Sequence, residues 1–293
     1  MKFGFGFIGP GLAAYPEIIS LVAKTSEECG FHSLWSPEHI VLLDEYSSKY
    51  PYNPDGKMGF APEEMDFLDP FLALTYAAAE TNTIRLGTGI CLVPERNPLV
   101  TAKEVASLDR LSGGRFDFGV GIGWLKEEFE AIGVPWSKRA QRTADYLEAM
   151  QAAWSPGASS HKGDFCEFSK VRSYPKPTQQ PHPPIFFGGE SEPALRRVGE
   201  LGDGWWGINV SIEGAKQHVA TIKRFAEGAG RDASNVHYAV SKNLGGEEIT
   251  LDEAKQYADL GIDQIIVGKF AASADEFKQY LEKTAETLIV PLS

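Results

Sequence analysis

The sequence predicts an α/β fold, a (β/α)8 TIM barrel in which eight parallel strands are each followed by a helix. Short apolar runs alternate with amphipathic helical segments from one end of the 293 residues to the other, and there are eight of each. The runs are almost continuously apolar, as expected of parallel strands that are buried on both faces. This alternation favours a single barrel domain over residues 1–293 rather than two smaller domains.

The predicted strands are the short apolar runs of this repeat. They are 3–8, 33–35, 84–93, 115–120, 184–188, 204–208, 236–240 and 264–267. The predicted helices have recognisable start signals: Pro16 and Pro70 suit a first helical turn, and Thr250 and Ser273 can cap helices with acidic first turns. These helices are 16–29, 70–81, 99–111, 139–154, 192–201, 212–228, 251–260 and 274–288.

Two long stretches interrupt the regular repeat, one after strand two and one after strand four. Residues 37–69 are polar and contain proline, and residues 155–183 are rich in proline with a possible strand pair around Gly163 and Asp164. Long loops inside a compact domain are usually functional. We expect both to lie at the carboxyl ends of the strands, where barrel active sites are built, and to line a substrate pocket.

Composition excludes several classes of function. The net charge of −12 argues against nucleic acid and anionic membranes as partners. Three widely spaced cysteines indicate reduced thiols and no zinc or other metal site. The apolar N-terminal run is too short for a signal peptide, and no run is long enough to span a membrane. We therefore expect a cytoplasmic protein that acts on a small molecule.

Two strand ends carry glycine-rich junctions that suit an anion. Strand four runs into alternating glycines over residues 119–123, a segment that we call the glycine turn, and an acid-rich helix start follows. Strand five ends in Gly188, Gly189, Glu190 and Ser191 before the next helix. Backbone N–H groups at such junctions approach a phosphate closely. Together the two junctions predict a phosphate clamp, although a glycine-rich strand end is also common as a purely structural turn.

Several motifs in this order and spacing resemble those of the luciferase-like oxidoreductases, which are flavin or deazaflavin (coenzyme F420) enzymes on a (β/α)8 barrel. Residues 121–133 look most like the F420-dependent branch of that family. The matching segments are Leu86-Gly-Thr-Gly89, Asn97-Pro98, Leu108-Asp-Arg-Leu-Ser-Gly-Gly-Arg-Phe116, Gly119–Gly123, Glu127-Glu-Phe129, Gly188-Gly-Glu-Ser191 and Gly202-Asp-Gly-Trp205.

The resemblance implies roles for particular residues. A non-proline cis peptide around Gly89 and Ile90 would support one face of the cofactor ring. His39 would face the reactive edge of the ring as a hydrogen-bond donor or proton carrier. The implied cofactor-binding residues are His39, Thr88, Gly89, Ile90, Gly121, Ile122, Gly123, Trp124, Gly188, Gly189, Glu190 and Ser191.

His39 and Glu38 follow strand two and are the predicted catalytic residues. An imidazole can donate or accept a proton near neutral pH. Glu38 is the candidate to orient His39 or, alternatively, to cap the next segment. A structural histidine is the competing interpretation of His39.

The choice of cofactor depends on Ile122, which stands where flavin members often place an arginine for the FMN phosphate. Losing that charged contact removes on the order of 1.5–3 kcal/mol, which favours coenzyme F420 over FMN. Trp124 stands where sugar-phosphate dehydrogenases of the F420 branch carry a glutamate, so a less polar substrate or a reductive hydride transfer is expected.

The sequence thus predicts an F420-dependent oxidoreductase that transfers hydride between the deazaflavin and a small organic substrate. One alternative is an FMN-dependent luciferase-like monooxygenase that uses reduced flavin and O2. The other is a non-catalytic cofactor-binding or partner barrel. The apolar helices 70–81 and 99–111 are a candidate homodimer interface, as in relatives, or pack on the barrel.

Overall fold

The computed structural model describes residues 1–59, 64–242 and 248–293. A closed barrel of parallel strands forms its centre, since β3 pairs with both β2 and β5 and completes the ring. β3 and β4 together occupy one position of the eight, and β6 pairs with β7 outside the barrel. The strands are β1 (Lys2–Phe5), β2 (Ser33–Ser36), β3 (Arg85–Thr88), β4 (Cys91–Leu92), β5 (Phe116–Gly121), β6 (Ser159–Lys162), β7 (Glu167–Val171), β8 (Ile185–Gly188), β9 (Gly204–Ile208), β10 (His237–Ser241) and β11 (Gln264–Val267).

Helices cover the outside of the barrel, and all eight predicted ones are present. α4 is an additional short helix directly after the glycine turn, and a π-helical turn over Ala285–Ile289 continues α9. The helices are α1 (Pro16–Glu28), α2 (Pro70–Glu80), α3 (Pro98–Leu111), α4 (Lys126–Ala131), α5 (Arg139–Trp154), α6 (Glu192–Leu201), α7 (Ile212–Gly228), α8 (Leu251–Asp259) and α9 (Ala274–Thr284).

The predicted helix starts are confirmed at the level of single hydrogen bonds. The Thr250 side chain accepts from the Glu253 backbone N–H, and Glu253 in turn accepts from Thr250, so the two form a capping box. Ser273 accepts from the N–H of Glu276 in the same way. Local sequence therefore specifies where these helices begin.

The core has two parts. The larger one lies between the strands and the surrounding helices. The smaller one fills the barrel itself, where the Trp35 ring lies 5.8 Å from Phe186 and 6.2 Å from Trp206, centroid to centroid. These large rings close the interior and form the floor beneath the carboxyl ends of the strands.

The third barrel strand is interrupted by a cis peptide bond between Gly89 and Ile90, which confirms the expectation drawn from the resemblance. The neighbouring strand accommodates this segment through Gly119. The Thr88 hydroxyl donates to the Gly119 carbonyl at 2.6 Å, and a Cβ on Gly119 would lie only 1.9 Å from the Thr88 carbonyl oxygen. Glycine at 119 is therefore required by backbone packing.

The two insertions do not meet at one end of the barrel. Residues 37–69, of which 60–63 lie outside the described residues, follow β2 at the carboxyl end, as predicted. The expectation for residues 155–183 is wrong, because a helix that follows a strand returns the chain to the amino end. There Gln179 bonds the Phe116 carbonyl at the start of β5, and Asp109 accepts from the N–H groups of Thr178 and Gln179. The strand pair expected around Gly163 is present as β6 and β7.

No helix within residues 1–59, 64–242 and 248–293 combines the length and the apolar character that crossing a membrane requires.

Candidate active site

A pocket of about 310 Å³ opens at the carboxyl ends of the barrel strands. Its walls are mainly apolar and aromatic, with a few polar groups, which is the usual composition of a small-molecule site. Residues from the loop after β2 and from the ends of β3, β5, β8, β9, β10 and β11 line it. None of residues 155–183 does, so that segment is not the substrate loop that the sequence predicted.

All but one of the predicted site residues border this pocket. Thr88 is the exception: it is fully buried behind the wall, and its hydroxyl holds β3 against β5. It supports the cis peptide without facing the pocket. The predicted residues that do line the pocket are Glu38, His39, Gly89, Ile90, Gly121, Ile122, Gly123, Trp124, Gly188, Gly189, Glu190 and Ser191.

His39 is oriented by a carboxylate that sequence reasoning did not single out. Its Nδ1 lies 2.8 Å from Oε2 of Glu128, a residue of α4 whose side chain is only 1% exposed. The other carboxylate oxygen accepts from the backbone N–H groups of Ile40 and Val41 at 2.6 and 3.2 Å. A carboxylate can only accept, so Nδ1 carries a hydrogen and Nε2 is the nitrogen left for a ligand.

Glu38 does not orient His39, which corrects the prediction for this residue. Its carboxylate accepts from the Leu92 N–H at 2.5 Å and from the Arg96 guanidinium, with Nε at 2.6 Å. Arg96 also contacts Asp69 and Glu104. Glu38 therefore fixes the segment after the cis peptide to the end of β2.

The two glycine junctions lie side by side, as the phosphate clamp requires, because β5 and β8 are hydrogen-bonded neighbours. Gly123 and Gly189 have φ values of +75° and +110°, which only glycine adopts readily. The Ser191 side chain makes no capping bond to α6, so its hydroxyl can meet an anion together with the Glu192 N–H. Pro193 has no N–H, and the N–H groups of Ala194 and Leu195 donate to the Ser191 carbonyl.

Gly121 and Gly188 have an additional explanation. A Cβ on either residue would lie 2.4 Å from Cδ1 of Ile90. The side chain of Ile90 thus occupies the space between the two strand ends, and glycine at both positions is needed for this packing. The presence of glycine at positions 121 and 188 is therefore not by itself evidence for a phosphate site.

Two arginines near the clamp were not recognised as a pair from the sequence. Arg197 of α6 lines the pocket, and Arg139, at the start of α5, donates to the Gly123 carbonyl at 3.2 Å. Burial and the charge of Arg139 both lower the pKa of Arg197. Among the described residues neither guanidinium pairs with a carboxylate, so both charges are available to an anion. In the sequence Arg197 resembles any charged residue of an amphipathic helix.

The loop after β2 covers the pocket and is held at two places. Glu127 of α4 accepts from Ser47 and Ser48, whose hydrogen bonds lower its pKa to about 2. Glu190, predicted as a cofactor contact, accepts from the Ile208 N–H at 2.7 Å and from the Tyr52 hydroxyl. Glu190 thus anchors the covering loop, and burial raises its pKa.

Glu95 is a buried acid for which no hydrogen-bond partner exists in the described part of the chain. Only 7% of the residue is exposed, and both carboxyl oxygens are unpaired. Burial, followed by the charges of Glu128 and Glu38, raises its pKa to about 9. It is therefore protonated at neutral pH.

The chain is a closed (β/α)8 barrel with a pocket at the carboxyl ends of its strands, the end at which barrel enzymes build their active sites. Residues 8–288 match the model of a family described as luciferase-like monooxygenase. The chain belongs to this family, whose members include oxidoreductases and monooxygenases.

Sequence relatives and solved structures agree with this assignment. An uncharacterised protein of Mycobacterium tuberculosis is 31% identical over 269 residues, 91% of this chain and 92% of that protein. An FMNH2-dependent dimethylsulfone monooxygenase of Pseudomonas putida is 36% identical over 137 residues, 46% of this chain and 38% of that protein.

Two solved structures share the fold over the full length of the chain. The monooxygenase RslO1 from Streptomyces bottropensis has a TM-score of 0.79 at 22% identity, and each chain is covered completely. The coenzyme F420-dependent tetrahydromethanopterin reductase from Methanopyrus kandleri has a TM-score of 0.77 at 18% identity, covering 100% of this chain and 99% of that one. At sequence identities this low, the structural similarity shows that the chains share a fold.

Proposed function

We propose that this protein is a coenzyme F420-dependent oxidoreductase that transfers hydride between the deazaflavin and a small organic substrate. The observation that carries the proposal is that one pocket combines two neighbouring glycine-rich strand ends with a histidine held by a buried carboxylate. When bound, a deazaflavin supplies the hydride chemistry, and the protein supplies positioning and proton transfer.

The residues present fit such a cofactor. The amides of the glycine turn and of residues 188–191, with Arg197 and Arg139, would hold its phosphate. The Gly89–Ile90 backbone would support the ring. His39 Nε2 would hold or move the proton, while Glu128 fixes the tautomer. Glu38 is a positioning residue in this scheme, because its contacts are to Arg96 and Leu92.

An FMN-dependent monooxygenase is the second candidate. The absence of an arginine at position 122 favours F420, but Arg197 and Arg139 bring positive charge to the same place from two helices. The argument from Ile122 is therefore weaker than the sequence suggested. The Pseudomonas putida relative, whose name specifies FMNH2, adds support for this candidate.

Cofactor titration of the purified protein tests the proposal. Quenching of cofactor fluorescence would be followed with coenzyme F420 and with FMN in parallel. We expect saturable F420 binding that is at least tenfold tighter than FMN binding. Tighter FMN binding, with oxygen consumption when reduced FMN is supplied, would establish the monooxygenase. Binding of neither cofactor would favour a non-catalytic barrel.

The assembly and compartment are part of the same proposal. α2 and α3 expose Leu72, Tyr76, Val100 and Leu111, which supports a homodimer formed through these helices. Cys29, Cys91 and Cys166 are all unpaired, which supports a reducing compartment such as the cytoplasm.

A further inference from the structure

One wall of the pocket is built from aromatic rings around His39. The ring centroid of His39 lies 5.9 Å from that of Phe67 and 6.1 Å from that of Trp124. Trp124 lies 5.1 Å from Tyr50, which lies 5.5 Å from Tyr52. We call these five residues the aromatic box. All five line the pocket, and four of them belong to the loop after β2.

The charged groups beside the aromatic box are already engaged. Glu38 is paired with Arg96, and Glu190 accepts from Ile208 and Tyr52. Nδ1 of His39 is bonded to Glu128. Of the pocket-lining residues that the structure describes, Arg197 is the only lysine or arginine. It belongs to α6, the helix that follows the glycine-rich junction at residues 188–191.

This distribution of charge disfavours an anionic substrate. A phosphorylated or carboxylated substrate next to His39 would lose water without gaining a cation, and it would lie near Glu38 and Glu190. Desolvating an unpaired anion is costly. A neutral molecule incurs no such cost and gains from contact with the rings.

We propose that the aromatic box takes a neutral, flat and largely apolar substrate with one hydroxyl group, which donates to His39 Nε2. This inference rests on the proposed function, because only an enzyme has a substrate. The preference of the aromatic box for neutral molecules can nevertheless be measured as binding, without turnover. Trp124 and Tyr50 are the specificity-determining residues that it names.

The test compares benzyl alcohol with benzoate, which share a ring and differ in charge. Isothermal titration would measure the binding of each probe to the protein, with and without saturating cofactor. We expect benzyl alcohol to bind at least tenfold more tightly than benzoate in both cases. Tyr50→Ala should weaken benzyl alcohol binding at least fivefold, whereas Tyr174→Ala, at an exposed tyrosine remote from the pocket, should leave it unchanged.

A second variant keeps the ring and removes the hydrogen bond. His39→Phe should weaken benzyl alcohol binding about five- to tenfold and leave the weak benzoate binding unchanged. Benzoate binding as tight as that of benzyl alcohol, equal effects of the two tyrosine variants, or displacement of benzyl alcohol by cofactor would each overturn the inference. If neither cofactor binds but the probe pattern appears, the proposed function fails and the aromatic box stands.

Discussion

At the scale of single residues, the site depends on a contact between distant parts of the chain. His39 and Glu128 are 89 positions apart, and their hydrogen bond leaves one imidazole nitrogen for a ligand. The neighbouring acid Glu38, although adjacent in sequence, is directed to Arg96. The sequence therefore singled out His39 but assigned the adjacent Glu38, in place of Glu128, as its partner.

The first prediction concerns this pair. Because the Glu128 carboxylate accepts from Nδ1, imidazole nitrogen NMR of the unliganded protein should show His39 with its hydrogen on Nδ1. Glu128→Ala should abolish that single-tautomer signal and, in the cofactor-bound enzyme, lower kcat about 100-fold. Glu127→Ala, next to it on α4, is the control for the tautomer. An unchanged tautomer in Glu128→Ala would contradict the assignment.

The second prediction concerns Glu95, whose pKa is raised to about 9 from an ordinary value of 4.5. The folded state keeps this proton as pH rises above 4.5 while the unfolded state releases it. Stability contributed by Glu95 is thus fully present below pH 4.5 and is lost as pH rises towards 9. Glu95→Gln should therefore stabilise the protein at pH 8, by on the order of 5 kcal/mol, and change it little at pH 4.5.

Urea unfolding at the two pH values measures this difference. Glu286→Gln, at an exposed acid, is the matched control and should follow the wild type at both. Parallel stability profiles of Glu95→Gln and wild type would show that Glu95 is ionised in the folded protein.

At the scale of elements, α6 brings charge to the site through one face only. Arg197 borders the pocket, whereas its neighbour Arg196 stacks on Phe225 of α7 on the outside. Charged hydrogen bonds to phosphate are worth about 1.5–3 kcal/mol each. The third prediction is that Arg197→Met weakens cofactor binding at least tenfold in the fluorescence titration, while Arg196→Met has less than a twofold effect. Equal effects would remove Arg197 from the anion site.

The exposed faces of α2 and α3 carry the fourth prediction. Leu72 is 72% exposed and Leu111 67%, which is unusual for leucine on the helices of a compact barrel. Leu72→Arg should convert a dimer to a monomer in analytical ultracentrifugation. Leu201→Arg, a similar change at an exposed leucine of α6, should leave the dimer intact. A monomeric wild type would contradict the interface.

Elements also explain one wrong expectation. Residues 155–183 were expected at the active-site end, but α5 precedes them and runs antiparallel to β5. Their strands β6 and β7 pack along the outside of α5, where Asp145 accepts from the N–H groups of Phe165 and Cys166. The segment that follows reaches the amino end, where Asp109 holds Thr178 and Gln179. Their proline content reflects an ordered connection and carried no information about substrate.

At the scale of the whole molecule, the fold could be predicted because its determinants are local. Apolar runs, first-turn prolines and capping residues each act within a few positions of the chain, and eight repeats of strand and helix allow few closed arrangements. The glycine turn and the junction at residues 188–191 could also be recognised, since both adjoin strand ends.

The sequence by itself determined the barrel, its family resemblance and most residues around the mouth, since these depend on periodicity and on short motifs. Only the tertiary structure decided that Glu128 holds His39, that Arg197 and Arg139 meet beside the glycine turn, and that one insertion covers the pocket while the other does not. The physical reason is that closure of the barrel sets these contacts, and side chains from separate repeats become neighbours only when every strand has found its place.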